Sequence, residues 1–545
     1  MQETPAPIAD AAGEGIIPMP INGSCPGAFV EEAPRERHDI VPAPTSITAF
    51  IGRTRRGPLD TPVPIASFAE FARQFGGLWQ ESTVSFAVQH YFLNGGADAI
   101  IVRVHNPSAP DADDLARVSL PREEGGAPLV IAAANPGAWG NRLRVIVDHD
   151  ASDAADASHF TLTAQEVDSG DPSVILATET FRDLSVDPGA PRFVADVLAR
   201  ESRLIRVPGD VPANRLEARP RTGPSLATAV PAVLQGGHDG QPIDDAHISD
   251  PRLQTMRRGL WALDNADIVN LLCIPPLRAD RDVASATWEA ARAYCKERRA
   301  MLLVDPPAEW QSPDDVLAGM DAADSIMTRG ENAALFFPRV RAPNPLAQDR
   351  LETFAPSGAV AGVFARVDAA KGVWKAPAGP EATLAGVPGL VVKLSDEENG
   401  QLTAQGINCL RDFPIGGPVV WGARTLHGAD ALASQWKYIP VRRLALFIEE
   451  SIVRNLGWTV FEPNDESLWS EIRLTVGAFL ENLFRQGAFS GVTPRDAYFV
   501  KCNAGTMTEN DIASGIVTIV VGFAPLRPAE FVIVELRQRA SQPES

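Results

Sequence analysis

Apolar positions along the chain follow two alternating periods. Ile47-Thr48-Ala49-Phe50-Ile51-Gly52 is a short continuous apolar run and reads as a buried strand. Ser67 opens a helix, with Glu70 placed to complete a capping box; Phe68, Phe71 and Phe75 share one face and Gly76 ends it. A second helix starts at Ser82 or Thr83, turns Val84, Val88 and Tyr91 inward, and stops at Asn94-Gly95-Gly96. Ala99 to Val104 is the next strand. Residues 105–127 form a polar connection. The period then changes: residues 128–207 read mainly as strands, with alternation over Arg142–Val147 and Phe160–Val167 and one helix near Arg192–Ala199. Residues 208–240, dense in Pro, Gly and Arg, read as a linker.

Alternation of strand and helix returns at Asp267. Ile268–Ile274, Met301–Val304 and Ala333–Phe337 are apolar runs typical of strands covered on both faces. Between them lie a helix over 283–299, with Trp288, Ala291 and Cys295 on one side, and one capped by Ser312 with Pro313 at its first position. This β-α-β-α-β order implies a parallel sheet. Farther on, Val441–Leu456 is an amphipathic helix and Trp458–Phe461 a short strand. Asn464 or Asp465 caps a longer helix ending at Gly487, with Leu468, Ile472, Phe479, Leu480 and Leu483 as its apolar stripe. Strands follow at Ala497–Lys501, Ile516–Gly522 and Glu530–Arg537.

The fold class is therefore α/β, α+β overall: a multidomain chain with a parallel core, a β-rich inserted domain and extended terminal strand arms. The expected divisions are an N-terminal tail and arm over 1–45, a core segment over 46–120 and the insert over 121–235. A second α/β segment over 236–425, a C-terminal domain over 426–529 and a closing arm over 530–545 complete the chain.

Charge and composition narrow the function. The formal net charge is −20, which disfavours general nucleic-acid binding and adhesion to anionic membranes. The five cysteines show no CxxC spacing, so neither a zinc ribbon nor a disulfide framework is expected, and a reducing compartment is. No signal peptide and no apolar run of about 18 residues is visible, so no membrane insertion is expected.

Chemistry-bearing motifs are scarce. There is no GxxxxGK[ST], GxGxxG after a strand, HExxH or GxSxG. Gly236-Gly237-His238-Asp239-Gly240 reads as a flexible linker turn, and Asp148-His149-Asp150 as a solvated strand end rather than a metal site. Asp305-Pro306-Pro307 sits where a parallel strand ends, the usual ligand crevice of such sheets, but without phosphate-binding glycines. No catalytic, cofactor or metal residues are assigned.

Two strands have no evident partner: Phe29-Val30-Glu31-Glu32 near the start, and Phe531-Val532-Ile533-Val534-Glu535-Leu536 near the end. A lone strand leaves its backbone donors and acceptors unpaired. Either the two pair within the chain, or they add to sheets in other copies.

The residues that carry a resemblance lie mostly in the last third: Trp436-Lys437-Tyr438-Ile439-Pro440-Val441-Arg442-Arg443-Leu444, Trp458-Thr459-Val460-Phe461-Glu462-Pro463-Asn464-Asp465, and Phe484-Arg485-Gln486-Gly487-Ala488-Phe489. Ala497–Cys502, Met507–Asp511 and Arg527–Ile533 continue it, and Pro26-Gly27-Ala28-Phe29-Val30-Glu31-Glu32, Pro356-Ser357-Gly358 and Val420–Thr425 agree. The chain resembles the contractile tail sheath proteins of phage tails and related injection particles.

The resemblance implies a structural, non-enzymatic subunit with no cofactor. It implies stacking as six-fold rings in a helical homo-oligomer around an inner tube, with baseplate and terminal cap proteins as further partners. The arms Phe29–Glu32 and Phe531–Leu536 would be exchanged between copies. The exposed charges Glu471, Arg473, Glu481 and Arg485 are the expected inner-tube contacts. Assembly in the bacterial cytoplasm, as part of a phage tail or tail-like particle released or membrane-anchored, goes with this. Two other readings are a non-contractile self-assembling shell protein and a subtilisin-like hydrolase. For the latter, residues 241–425 offer His247 but no recognisable serine motif.

Overall fold

A computed structural model describes residues 38–121, 127–148, 159–209, 211, 222, 230–321 and 329–528. The elements below belong to the unit beginning at Asp39.

Strand β1 (Thr48–Gly52) is buried at all five positions. The short strand β2 (Val63–Ile65) and helix α1 (Phe68–Phe75) follow. Ser67 accepts from the Glu70 amide as expected, but the Glu70 carboxylate reaches back to the Ala66 amide instead of Ser67's. Phe68, Phe71 and Phe75 stack in a row. Helix α2 (Thr83–Leu93) and strand β3 (Ala99–Arg103) complete the first segment.

The chain then leaves for the insert. Its strands are β4 (Arg117–Leu120), β5 (Leu129–Ala133), β6 (Leu143–Asp148), β7 (His159–Val167) and β8 (Ile175–Ser185), with helix α3 (Val194–Glu201), β9 (Ile205–Arg206) and β10 (Ala232–Val233). β4 lies inside what reads as a polar connection and pairs with β5, so the insert's first strand precedes residue 121. β10 lies inside the presumed linker and pairs with β6. Both misreadings have one cause: short strands with few apolar residues carry almost no periodic signal. Their pairing is decided by neighbours distant in sequence.

After α4 (Ala246–Ser249) and α5 (Arg252–Met256), the core resumes with β11 (Leu271–Cys273), α6 (Ser285–Glu297), β12 (Met301–Val304), α7 (Pro313–Asp321) and β13 (Ala333–Phe337). A small antiparallel sheet, β14 (Val340–Asn344), β15 (Arg350–Phe354) and β16 (Gly389–Leu390), brackets helix α8 (Ser357–Lys371). Helix α9 (Asp396–Ala404) and strands β17 (Asn408–Phe413) and β18 (Gly417–Val420) follow.

The main sheet runs β18-β17-β13-β12-β11-β1-β3-β2. All its pairings are parallel except those of β2 and β18 at the edges. Side chains alternate strictly between two cores. Ala49, Leu272, Leu302 and Leu335 face one, with Trp288 and Val316; Phe50, Leu271, Leu303 and Phe336 face the other, with Phe71, Tyr91 and Phe364. Helices thus cover both faces, as all-parallel strands require. Two glycines let α8 approach α2: a Cβ at Gly358 would stand 2.2 Å from the Ala87 carbonyl oxygen, and one at Gly362 2.4 Å from that of Tyr91. This is the physical content of the Pro-Ser-Gly stretch.

The insert has its own core, including Trp139, Leu162 and Val197. It is fastened to the main sheet, not strung from it. The buried Arg103 of β3 donates to the Gly57 and Pro136 carbonyls, at 2.8 Å each. Glu166 of β7, 5% exposed, accepts from Arg56 at 2.5 Å and from Arg142 at 2.7 Å. The glycine-rich turn 236–240, read as flexible, is tied down: Gly237 and Asn141 exchange two hydrogen bonds, and the Asp239 carbonyl accepts from Arg53 at 2.9 Å.

Beyond the core come α10 (Ile439–Asn455), α11 (Glu466–Arg485), α12 (Pro494–Ala497), β19 (Tyr498–Lys501), α13 (Glu509–Ala513) and β20 (Val520–Phe523). Trp458–Phe461, expected as a strand, is instead a 3-10 turn over Gly457–Thr459 followed by a turn at Val460–Phe461. No neighbouring strand lies beside it among the described residues, so β-prone side chains alone do not make it extended.

Candidate assembly interface

The first place to look for chemistry is the crevice where strand order reverses, between β1 and β11. The chain's own groups take it up. Ser82 and Thr83, at the start of α2, donate to the Arg53 and Pro276 carbonyls. The Arg53 guanidinium lies 4.6 Å over the Trp79 ring.

One strand farther, buried Asp305 accepts from the Ser357 amide at 2.8 Å and its hydroxyl at 2.7 Å. It therefore starts α8, in the place where a ligand crevice was considered. Desolvation by burial holds its carboxyl up at about 6, against the Ser357 hydrogen bonds and Arg339. His247 bonds Asp244 at 2.7 Å through Nδ1, and no serine is among its partners. Asp148 lies at the exposed end of β6; His149 and Asp150 lie outside the described residues. Among the described residues no group of three or more His, Cys, Asp or Glu could hold a metal ion, and no helix is long and apolar enough to cross a membrane.

The C-terminal module offers more. Helix α10 joins it to the core, and it is nearly all buried from Ile439 to Ile448, two arginines included. Arg443 makes a two-pronged pair with Asp368 of α8, at 2.9 and 2.6 Å, and donates to the Thr45 carbonyl. Arg442 donates to Asn332 at 3.0 Å and stacks on Trp436. The same helix holds the incoming chain: Ser451 accepts from the Ala43 amide, and Asn455 exchanges two hydrogen bonds with Val41. Ile40 packs into the module's core beside Leu444, Trp469 and Leu480. The described chain therefore both enters through this module, at Ile40, and leaves from it, at Pro528.

Helix α11 is capped by Asp465, which accepts from the Ser467 and Leu468 amides. Its stripe of Leu468, Ile472, Phe479, Leu480 and Leu483 is buried as the periodicity predicts. The four charges singled out on it have different roles. Arg473 donates to the Cys502 carbonyl and to Glu466, the latter at 2.7 Å. Glu481 accepts from Tyr498 at 3.0 Å and from Arg485 at 2.9 Å; these bonds hold its carboxyl below its ordinary range. Glu471 and Arg485 are exposed, on a continuous outward line with Leu474, Ala478 and Asn482.

β19 and β20 pair antiparallel as a two-stranded sheet, below the size that is stable alone. Tyr498, Val500, Val521 and Phe523 pack on the module's core. Phe499 and Val520 stay 48% and 40% exposed on it, and Val492, beside it in sequence, is 93% exposed. Among the described residues, neither outer edge of this sheet has a partner strand. The arms Phe29–Glu32 and Phe531–Leu536 lie outside the described residues.

Sequence reading placed Ser451 and Asn455 only within the helix Val441–Leu456, with no partner given for either. It also missed Arg442 and Arg443, whose signal was available: adjacent arginines inside an otherwise apolar turn after Pro440.

Comparison with known proteins accords with this arrangement. A model of the phage tail sheath protein central domain matches residues 267–426, and one of the phage tail sheath C-terminal domain matches 433–539. The tail sheath protein of Vibrio phage KVP40 is 32% identical over 136 residues, covering 25% of this chain and 20% of that protein. The chain thus spans about a fifth of the length of that curated relative. Among solved structures, the sheath complex of an extracellular contractile injection system, PVC, in the contracted state is similar: TM-score 0.55, 21% identity, covering 95% of this chain and 98% of that one. A sheath tail protein from Listeria innocua gives TM-score 0.57 at 13% identity, covering 90% and 97%. At these identities the structural likeness concerns the fold.

Proposed function

Belonging to the phage tail sheath family by its central and C-terminal domains, the chain is, we propose, the structural subunit of a contractile sheath. Copies stack as six-fold rings around an inner tube, between a baseplate and a terminal cap, and contraction drives the tube through a target envelope. The particle is a phage tail or tail-like injection device, assembled in the bacterial cytoplasm.

One observation carries the reading. The C-terminal module is welded to the core by α10; the described chain enters it at Ile40 and leaves it at Pro528, and its two-stranded sheet has no partner strand among the described residues. In this reading the arms Phe29–Glu32 and Phe531–Leu536 cross to neighbouring copies and lengthen such sheets, each backbone bond adding about 0.5–1.5 kcal/mol net. The arms keep copies linked while their bodies rotate. The work of contraction comes from the difference in interface free energy between two lattices of one subunit.

The inner tube meets the outward line of α11, at Glu471 and Arg485 with Leu474 between them. Arg473 and Glu481 support this face by bonding Cys502 and Tyr498 within the module.

Negative-stain electron microscopy of the purified full chain, alone and with its tube protein, tests the proposal. Hollow tubes that vanish on deletion of 530–545 are the expected result. A soluble monomer under both conditions overturns it.

A further inference from the structure

The module carries a fully exposed aromatic side chain. Phe461 is 101% exposed and has φ of 75°, a left-handed backbone that bulky residues avoid. Its loop is not loose. The Glu462 amide donates to the Thr459 carbonyl at 3.3 Å, and Trp469 donates to Asn464 at 2.7 Å. Asn464 in turn donates to the Ile512 and Ile516 carbonyls. A hydrogen-bonded loop thus holds an exposed phenylalanine with a left-handed backbone, beside Val460 and the acidic Glu462. Strained backbone of this kind is enriched at functional sites.

A groove that could receive such a side chain lies where the core meets the module. It has a volume of about 760 Å³ and lies beside the end of α11, with Trp374, Trp421 and Leu526 as its apolar part and Lys371, Lys375 and Arg527 among its lining. Among the described residues no carboxylate lines it. Two of the chain's six lysines stand at this one place in a molecule of net charge −20. Lys371 pairs with the exposed Glu381, while the ammonium of Lys375 and the guanidinium of Arg527 are on exposed residues.

Phe461 and this groove cannot meet within one chain. Phe461 precedes the start of α11, and the groove reaches Gly487 beyond its end. A helix of 20 residues separates them by about 30 Å. We infer that Phe461, with Glu462, docks into the Trp374–Trp421 groove of a second copy of this chain. Each copy offers the knob at one end of α11 and the socket at the other. Such a head-to-tail contact is heterologous, and repeated it generates an open helical array or a closed ring. The inference rests on the sheath reading for its biological setting, but not for its geometry.

Photo-crosslinking tests it. Full-length protein carrying Phe461→p-benzoylphenylalanine is mixed with isotope-labelled wild type at high concentration, illuminated and mapped by mass spectrometry. The expected product joins residue 461 to peptides containing 371–375, 421 or 526–527 of the labelled copy. Crosslinks to residues 529–545, to any other peptide, or none at all overturn the inference. Tubes with crosslinks elsewhere would sink this contact and leave the sheath reading intact. The groove crosslink without tubes would do the reverse.

Phe461→Ala should raise the concentration needed for polymerisation at least tenfold without moving the monomer's melting temperature, since the side chain touches nothing. Glu462→Lys and Lys375→Glu should each weaken assembly, and the pair together should restore it. An unchanged threshold in Phe461→Ala, or no rescue by the double exchange, contradicts the contact.

Discussion

The central sheet and the C-terminal module treat the same kind of residue in opposite ways. In the sheet, β1, β12 and β13 are buried at every position, and their side chains alternate between two cores roofed by helices. In the module, β19 is half-buried and exposed by turns, while Phe461, Leu474 and Val492 stand 101, 67 and 93% exposed. Buried polar groups divide the same way. Asp305, Asp368, Arg424 and Arg443 find their partners inside the core and its weld. The difference teaches that the core buries its apolar strands on both faces, whereas the module leaves apolar area exposed and, among the described residues, sheet edges without partners, as the proposed assembly requires.

Removing a buried partner from the weld should have the largest effect. Arg443→Met leaves Asp368 charged and unpaired where both side chains are at most 4% exposed. The expected loss is about 3–5 kcal/mol, read from the urea midpoint. If the variant is as stable as wild type, the module is not welded to the core as described.

Asp305 comes next. Asp305→Ala, which strands the Ser357 amide and hydroxyl, should cost about 2–3 kcal/mol. Its pH dependence has a definite sign. Burial lifts the folded carboxyl from its ordinary 3.8 to about 6, so its protonated form is favoured on folding. Its contribution is therefore full below about pH 4 and is lost as pH rises through about 6. The stability of wild type minus that of Asp305→Asn should fall between pH 4 and 7; a flat difference contradicts the assignment.

The insert's fastening is a smaller term. Glu166→Gln should weaken the bonds from Arg56 and Arg142 by about 1.5 kcal/mol and speed proteolysis near 230–240, measured by limited digestion. Smallest for the monomer, yet large for assembly, are Leu474→Ser and Val492→Ser. Each should change monomer stability by less than about 0.5 kcal/mol. Both should lower tube yield in micrographs. A large monomer effect from either would erase the contrast between the two regions.

Much of the core could be read from the chain because its signals are local. Met301–Val304 and Ala333–Phe337 are strands to the residue, and Ser82, Ser312 and Asp465 cap the helices they precede. What escaped depends on partners far away. β10 is two residues long and exists through β6. Gly236–Gly240 carries every mark of a free turn until Arg53 and Asn141, remote in sequence, hold it. On α11, periodicity separates the buried stripe from the charges. It does not reveal that Arg473 and Glu481 bond within the module while Glu471 and Arg485 lie on its exposed line. Phe461 was hidden for another reason: an aromatic after β-prone Thr459 and Val460 looks like a strand, and no strand lies beside it among the described residues.

Amide hydrogen exchange, compared between the monomer and the assembled protein, tests the central claim most directly. The account predicts that assembly slows exchange at β19, β20, the outward line of α11 and the loop around Phe461, while β1, β11, β12 and β13 are already protected in the monomer. Protection gained in the central sheet on assembly, with the module unchanged, would contradict it.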